Sequence, residues 1–261
     1  MNTRKPRSSS IALLTSLASL ASLASLAALP LPGSAAASAG DGPVWVGRFD
    51  GGLAPWQEVR LDAKLKPNNF ALRHWDGVAA LEVQSAGSIS LLGRPVTVDT
   101  ARTPVLCWRW RIDAPLKSAD LTQRSGDDYA ARLYVSLAIP DADKSLGLRT
   151  QLRIARSIWG PSVPDAAVNY VWDNRQPVGT ERPNAYTDRT MMVVLRSGAT
   201  DAGGWVQERR NVGRDVARLF GASATPVQLA ITADTDNTDE TARAGFADLH
   251  WVPEQAACEK R

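Results

Sequence analysis

Beyond about residue 43 the chain alternates apolar and polar positions with a period of two, broken by clusters of Gly, Pro, Asn and Asp. A period of two marks strands that bury one face. The clearest run is Val105 to Ile112. Leu106, Trp108, Trp110 and Ile112 share one face, and Val105, Cys107, Arg109 and Arg111 share the other. Tyr129 to Ile139 repeats the pattern. Tyr129, Ala131, Leu133, Val135, Leu137 and Ile139 take the core phase, with Arg132, Tyr134 and Ser136 opposite. The same signal predicts further strands at about 44–49, 57–61, 69–73, 78–84, 87–92, 95–99, 168–173, 190–196, 205–210, 227–233 and 245–252.

Helical periodicity is confined to two places. Val212, Val216, Leu219 and Phe220 follow i, i+4, i+7, i+8, and Gly221 stands where a left-handed cap would. Between Lys144 and Ile158, the positions of Leu146, Leu148, Leu152 and Ile154 suit a helix or a strand, and both readings stand. Many short strands with few helices predict an all-β chain: a single-domain, jelly-roll-like β-sandwich with one or two short helices over residues 40–261. No linker or internal repeat divides that stretch.

The first 39 residues follow a different logic. Arg4, Lys5 and Arg7 precede an apolar stretch from Ile11 to Leu29, and Ala37-Ser38-Ala39 fits the pattern accepted by signal peptidase. A cleaved secretory signal is expected, hence a periplasmic or secreted protein with no integral membrane anchor after cleavage. The competing reading, a retained anchor, is opposed by the serines and by Pro30 and Pro32. Removal of this segment changes the meaning of the charge. The chain has 30 basic and 27 acidic residues, and the segment holds three of the former and none of the latter, leaving 27 of each. Without net positive charge, counterion release has no global source, and no nucleic-acid partner is expected. With 44% hydrophobic and 22% charged residues, most of the chain is not disordered. Export permits Cys107 and Cys258 to pair. A buried thiol plus a free tail thiol remains the alternative.

An inventory of motifs removes several chemistries. The chain has no GxSxG, HExxH, P-loop or GxGxxG. His74 and His250 stand apart and are expected at the surface or in loops. Any enzyme here would rely on carboxylates, tyrosines, arginines or a hard metal. Two candidate sites remain. The run Asp234-Thr235-Asp236-Asn237-Thr238-Asp239-Glu240 is rich in oxygen donors, so Asp234, Asp236, Asn237 and Asp239 are candidate Ca²⁺ ligands. It departs from an EF-hand at Asp239 and Gly245, and an Asx-rich turn is the alternative. The second candidate is a basic–aromatic stripe of Arg109, Arg111, Arg132 and Tyr134, with Trp172 and Asp173 as a platform at a strand end. Guanidinium pairs with carboxylate and tyrosine packs on sugar rings, so the stripe suits a glycan or other small polar ligand. A solvated face with arginines paired to Asp127 or Asp128 is the alternative. The leading expectation is therefore a non-catalytic binding module. A polysaccharide-active enzyme, with Arg132 neutralising a substrate carboxylate and Tyr134 exchanging a proton, and an envelope scaffold are the alternatives.

Four segments, SGDDYAAR (Ser125 to Arg132), NYVWDNRQPVGT (Asn169 to Thr180), NAYTDR (Asn184 to Arg189) and DTDNT (Asp234 to Thr238), together resemble a bacterial exported family catalogued as domain of unknown function 3047. The resemblance implies an exported single-domain protein and lends no activity. Asp239 stands where relatives have glycine, which adds a charge to the metal-loop candidate. Asp173, Asn174, Asn184, Asp188, Asp234 and Asp236 in these segments either converge at one edge or lock strand corners. The run RTQLR (Arg149 to Arg153) is similar to a signature of jelly-roll alginate lyases, but the partner motifs of that family are missing and no lyase is expected.

Overall fold

The computed structural model describes residues 42–159, 163–221 and 224–261. The expected signal segment lies outside the described residues. The alternating runs form two sheets. The first holds β1 (Val44–Gly47), β3 (Asn69–Trp75), β4 (Val78–Ala86), β6 (Val105–Ile112), β11 (Val206–Asn211) and β13 (Thr241–Val252). Its order is β11-β6-β13-β4-β3, with β1 paired to β13. The second holds β2 (Gln57–Val59), β5 (Leu91–Pro95), β7 (Tyr129–Ala138), β8 (Ala166–Asp173), β9 (Glu181–Asn184), β10 (Thr187–Ser197) and β12 (Thr225–Asp234), in the order β2-β5-β12-β7-β8-β10-β9. The β8–β10 pair is parallel. This is a β-sandwich, as the periodicity predicts.

The sheets close over one apolar core. Trp108, Trp110, Trp251 and Phe246 from the first sheet meet Leu133, Val135, Trp172 and Ile231 from the second, all fully or almost fully buried. Trp108 and Trp110 sit edge to face at 5.7 Å, the geometry that the aromatic quadrupole favours. Trp110 Nε1–H donates to Glu208 at 3.0 Å, and Arg196 neutralises that carboxylate. Most predicted strands match observed ones, with three exceptions. The strand expected at 87–92 begins only at Leu91, because residues 87–90 form the turn into β5. Beyond Pro95 the chain leaves β5 as a loop instead of making a strand at 95–99, and β9 (ERPN) has too little apolar content to announce itself.

Both helices form. In α2 (Val212–Phe220), Asn211 accepts from the Arg214 N–H at 2.9 Å as N-cap, and Gly221 adopts φ 63° as the left-handed C-cap. In α1 (Leu146–Trp159) the helical reading prevails. Ser145 Oγ accepts from the Leu148 N–H at 3.1 Å, and Leu152 is buried while Leu146 and Ile154 stay exposed. No helix of the described residues is long and apolar enough to cross a membrane.

Two sequence expectations fail for topological reasons. β6 and β7 are not neighbours but belong to different sheets, so Arg109 and Arg111 cannot share a stripe with Arg132 and Tyr134. The phase of β7 also breaks. Thr232 pairs with Arg132 while Asp234 pairs with Tyr129, so one extra residue bulges out of β7 between them. Ala130 and Ala131 then both enter the core, and Tyr129 turns to the outer face, against Leu121, Val171, Met192 and Val194.

The outer face of the first sheet is a closed quilt of ion pairs and rings. Arg111 pairs with Asp76, Arg109 with Asp248, and Arg243 with the buried Glu82. The Trp75 ring lies 4.1 Å from the Arg111 guanidinium and 3.9 Å from that of Arg243. Gly245 permits this approach, because a Cβ there would sit 2.9 Å from Trp205 and 3.1 Å from Arg111. Cys107, on the same face, is bonded to Cys258 with Cα atoms 5.7 Å apart. The tail so held covers His250, which is buried and not at the surface as expected; His74 is exposed. Trp45 stacks on His250 at 4.4 Å, and Nε2 accepts from the Glu259 N–H at 2.9 Å, leaving Nδ1 to donate to the Asp248 carbonyl. Burial keeps this imidazole below the usual histidine range, hence neutral.

Candidate functional site

The outer face of the second sheet gathers the loop segments singled out in the sequence. Antiparallel pairing of β7 with β12 sets the start of one beside the end of the other, so Asp127 and Asp128 meet Asp234 and Asp236. The β9–β10 hairpin breaks register between Thr187 and Met191, and its tip reaches the same place. There Asn184 Nδ2 donates to Asp127 at 2.8 Å, and the Tyr186 hydroxyl contacts Asn237 at 3.1 Å. Three of the four segments that carry the family resemblance thus converge. In the fourth, Asn169 is the contact. With its amide oxygen facing the guanidinium, it accepts from Arg132 at 2.8 and 3.1 Å.

Arg132 is the centre of this knot. It is 3% exposed, pairs with Asp234, and lies 4.5 Å from the ring of Tyr129 and 4.9 Å from that of Tyr134. Asp234 holds Arg132 charged, with its guanidinium well above the ordinary arginine range despite burial. Asp234 also accepts from the Tyr129 N–H at 3.0 Å. Asp128 accepts from both Asn237 and Thr238, the shortest contacts being the Thr238 N–H and hydroxyl at 2.7 Å. Asp236 is the exception: its Oδ1 is buried and has no partner among the described residues. Burial first, and the neighbouring Asp128 second, raise the Asp236 carboxyl above the usual range.

The sequence-predicted site residues divide accordingly. Arg132 and Tyr134 share the outer face of the second sheet, but Arg132 is committed to Asp234. Burial pushes the Tyr134 phenol well up, so it keeps its proton at neutral pH. Neither residue is free for the substrate-neutralising and proton-exchanging roles that the sequence allowed. Trp172 is not a platform. It is 1% exposed, packs on Trp110 at 5.8 Å and donates to the Gly198 carbonyl at 3.0 Å. Asp173 is a turn-former, accepting from the N–H groups of Arg175 and Gln176. Arg109 and Arg111 belong to the quilt on the other sheet. Of the proposed metal loop, Asp234 and Asp236 come together with Asp128, one oxygen of each lying within 4.8 Å of the others. Asn237 binds Asp128 through its backbone and amide. Asp239 points elsewhere, at φ 56° and beside Gly87.

Beside the knot lies an open cleft of about 570 Å³ between α1 and the start of β10. Gln151 and Ala155 form one wall, Tyr186, Asp188 and Thr190 the other, and Val163 and Pro164 add apolar surface. Its size is that of ligand pockets in general, with a few polar groups on a largely apolar lining. Tyr186, at its rim, is 53% exposed, and its ring carries the Arg124 guanidinium at 5.3 Å. Its hydroxyl is anchored by Asn237 and by the Arg124 carbonyl at 3.0 Å, so the ring is held in place. Sequence reasoning missed Tyr186 and Asp128 as site residues, although both lie within the quoted segments NAYTDR and SGDDYAAR.

Comparison with known proteins returns one family. The model described as "Protein of unknown function (DUF3047)" matches residues 54–250. No curated protein matches the chain. Among solved structures, the family 30 carbohydrate-binding module of a cellulosomal cellulase of Clostridium thermocellum aligns at 10% identity. The alignment covers 83% of this chain and 95% of that one, with a TM-score of 0.34.

Proposed function

The chain belongs to the DUF3047 family of proteins of unknown function, and we propose that it is an exported, non-catalytic β-sandwich that binds a glycan in the cleft between α1 and the β9–β10 hairpin. The observation that carries this reading is the exposed, anchored ring of Tyr186 at the rim of a cleft lined by Gln151, Asp188 and Thr190. A fixed aromatic face takes up the apolar side of a sugar ring at little cost in side-chain entropy, and the neighbouring amide, carboxylate and hydroxyl suit its hydroxyl groups. A polysaccharide-active enzyme is not favoured, because the phenols of Tyr129 and Tyr134 are both pushed up by burial and Arg132 is already paired.

The test is isothermal titration against a panel of soluble neutral and acidic oligosaccharides. At least one should bind, with no change in the sugar on prolonged incubation, and Tyr186→Ala should weaken it by about tenfold or more, some 1.4 kcal/mol. Binding unaffected by that substitution, or release of new reducing ends, would overturn the reading.

A structural Ca²⁺ belongs to the same proposal, moved from the loop alone to Asp128, Asp234 and Asp236. These three carboxylates cluster beside one guanidinium, that of Arg132 paired to Asp234, and the buried Asp236 oxygen lacks a partner among the described residues. Hard cations take such oxygen sets. Millimolar Ca²⁺ should raise the melting temperature relative to EGTA, and Asp236→Asn should remove the difference. Equal melting temperatures in Ca²⁺ and EGTA would eliminate the ion.

A further inference from the structure

Three neighbouring strands of the first sheet place His250 beneath a covering segment. β13 shifts register between Ala247 and His250, with Asp248 in the left-handed region at φ 54°, so the strand bulges there. Beyond the bulge His250 pairs with Trp45 of β1 on one side and with Cys107 of β6 on the other. Trp45 stacks on the imidazole at 4.4 Å. Cys107 is bonded to Cys258, and that bond brings the next residue, Glu259, to the ring. Arg261 completes the cover. Its guanidinium lies 5.0 Å from the Trp45 ring, and its carbonyl accepts from Arg109 at 3.0 Å. His250 is thereby sealed from solvent, while Glu259, Lys260 and Arg261 are themselves exposed.

Both ring nitrogens have fixed roles. The Asp248 carbonyl, 2.6 Å from Nδ1, can only accept, so the ring proton sits on Nδ1. The Glu259 N–H, 2.9 Å from Nε2, can only donate, so Nε2 is bare. We propose that His250 is an acid-sensitive latch for residues 259–261. A proton taken up at Nε2 sets two donors against each other and breaks the contact with Glu259. The segment is then free to swing away beyond Cys258, uncovering Trp45 and Arg109. Charges face the ring from every element packed on it. Asp248 lies on β13 itself and is paired with Arg109 of β6, Glu259 and Arg261 belong to the covering segment, and Arg48, next to β1, lies 5.8 Å from the Trp45 ring. Burial outweighs the carboxylates of Asp248 and Glu259 and holds the imidazole below its ordinary value, with Arg261 acting in the same direction. The closed form therefore resists a proton that the open form accepts. Closure is fully favoured above the ordinary histidine value of about 6.5 and weakens as the pH falls below it. The latch shares no residue with the lining of the Tyr186 cleft, so the two stand or fall separately.

The experiment is amide hydrogen exchange by NMR on the protein with its disulfide intact, at about pH 7.5 and about pH 5.5, a window above the ordinary carboxylate range. Corrected for the intrinsic rate, protection of the Glu259 amide should fall by roughly three- to tenfold at the lower pH, while that of Ile231 in the second sheet stays constant. His250→Gln, whose amide oxygen still accepts but takes up no proton, should remove the pH dependence. Glu259→Pro, at an exposed position, deletes the opposing N–H. By reciprocity the His250 ring should then titrate at a higher pH than in the parent protein, closer to the ordinary histidine value. Flat Glu259 protection in the parent protein would overturn the proposal, as would an unchanged pH dependence in His250→Gln or an unmoved His250 titration in Glu259→Pro. The proline variant decides the matter where the glutamine variant does not fold.

Discussion

Arg132→Met is expected to lower the unfolding free energy by about 3–5 kcal/mol, the usual cost of removing one partner of a buried ion pair. The loss is large here because of what remains. Asp234, fully buried, would face Asp128 and Asp236 without its guanidinium partner, and the rings of Tyr129 and Tyr134 would lose the charge they enclose. For a domain of this size, that cost corresponds to a fall in melting temperature of roughly 6–20 °C. Urea unfolding followed by tryptophan fluorescence gives the free energy. The double variant Arg132→Met/Asp234→Asn should recover part of the loss, since it removes the stranded charge as well. A single variant that unfolds like the parent would mean that water reaches the knot and screens it.

The second large effect belongs to the disulfide. Cys107 and Cys258 are 151 residues apart, so the bond closes everything from β7 to β13 into one loop and leaves β1 to β5 outside it. In the loop-entropy account, a closure of this length stabilises by about 5 kcal/mol, and measured values for native bonds run from about 2 to 5. The tail it holds also covers the first sheet. Ala256 and Cys258 pack on Val105, Cys107 and Val252, and the Arg261 carbonyl accepts from Arg109 at 3.0 Å. Cys258→Ala, or reduction of the intact protein, should therefore shift the urea midpoint downward and expose the Trp45–His250 stack. A midpoint unchanged after reduction, with two free thiols verified by mass, would contradict this.

How far the sequence carried depends on whether the information was local. Leu106, Trp108, Trp110 and Ile112 kept strict alternation, and all four are buried as their phase required. In Tyr129–Ala138 the alternation held from Ala131 onward but misplaced Tyr129, because a bulge is a property of the pair β7–β12 and leaves no mark in one strand. The arginine stripe failed for the same reason. Which strands lie side by side is a long-range matter, and β6 and β7 are consecutive in the chain yet sit in opposite sheets. Trp172 looked like a platform beside polar neighbours, but its strand is buried on both faces, from Asn169 through Trp172. The acidic knot was half legible. Asp234 and Asp236 were visible as Asp-x-Asp, while Asp128 joins them only across the β7–β12 ladder. Tyr186 carried no periodic signal at all, since its position depends on a hairpin that folds back across the sheet.

The central claim, that a glycan occupies the α1–hairpin cleft, is tested most directly by amide and side-chain NMR mapping with the tightest-binding oligosaccharide of the panel. Shifts should concentrate at Gln151, Tyr186, Asp188 and Thr190 and leave Trp75 and Trp205 on the first sheet untouched. Shifts centred on those two tryptophans, or no shift at Tyr186 at saturating sugar, would contradict the account.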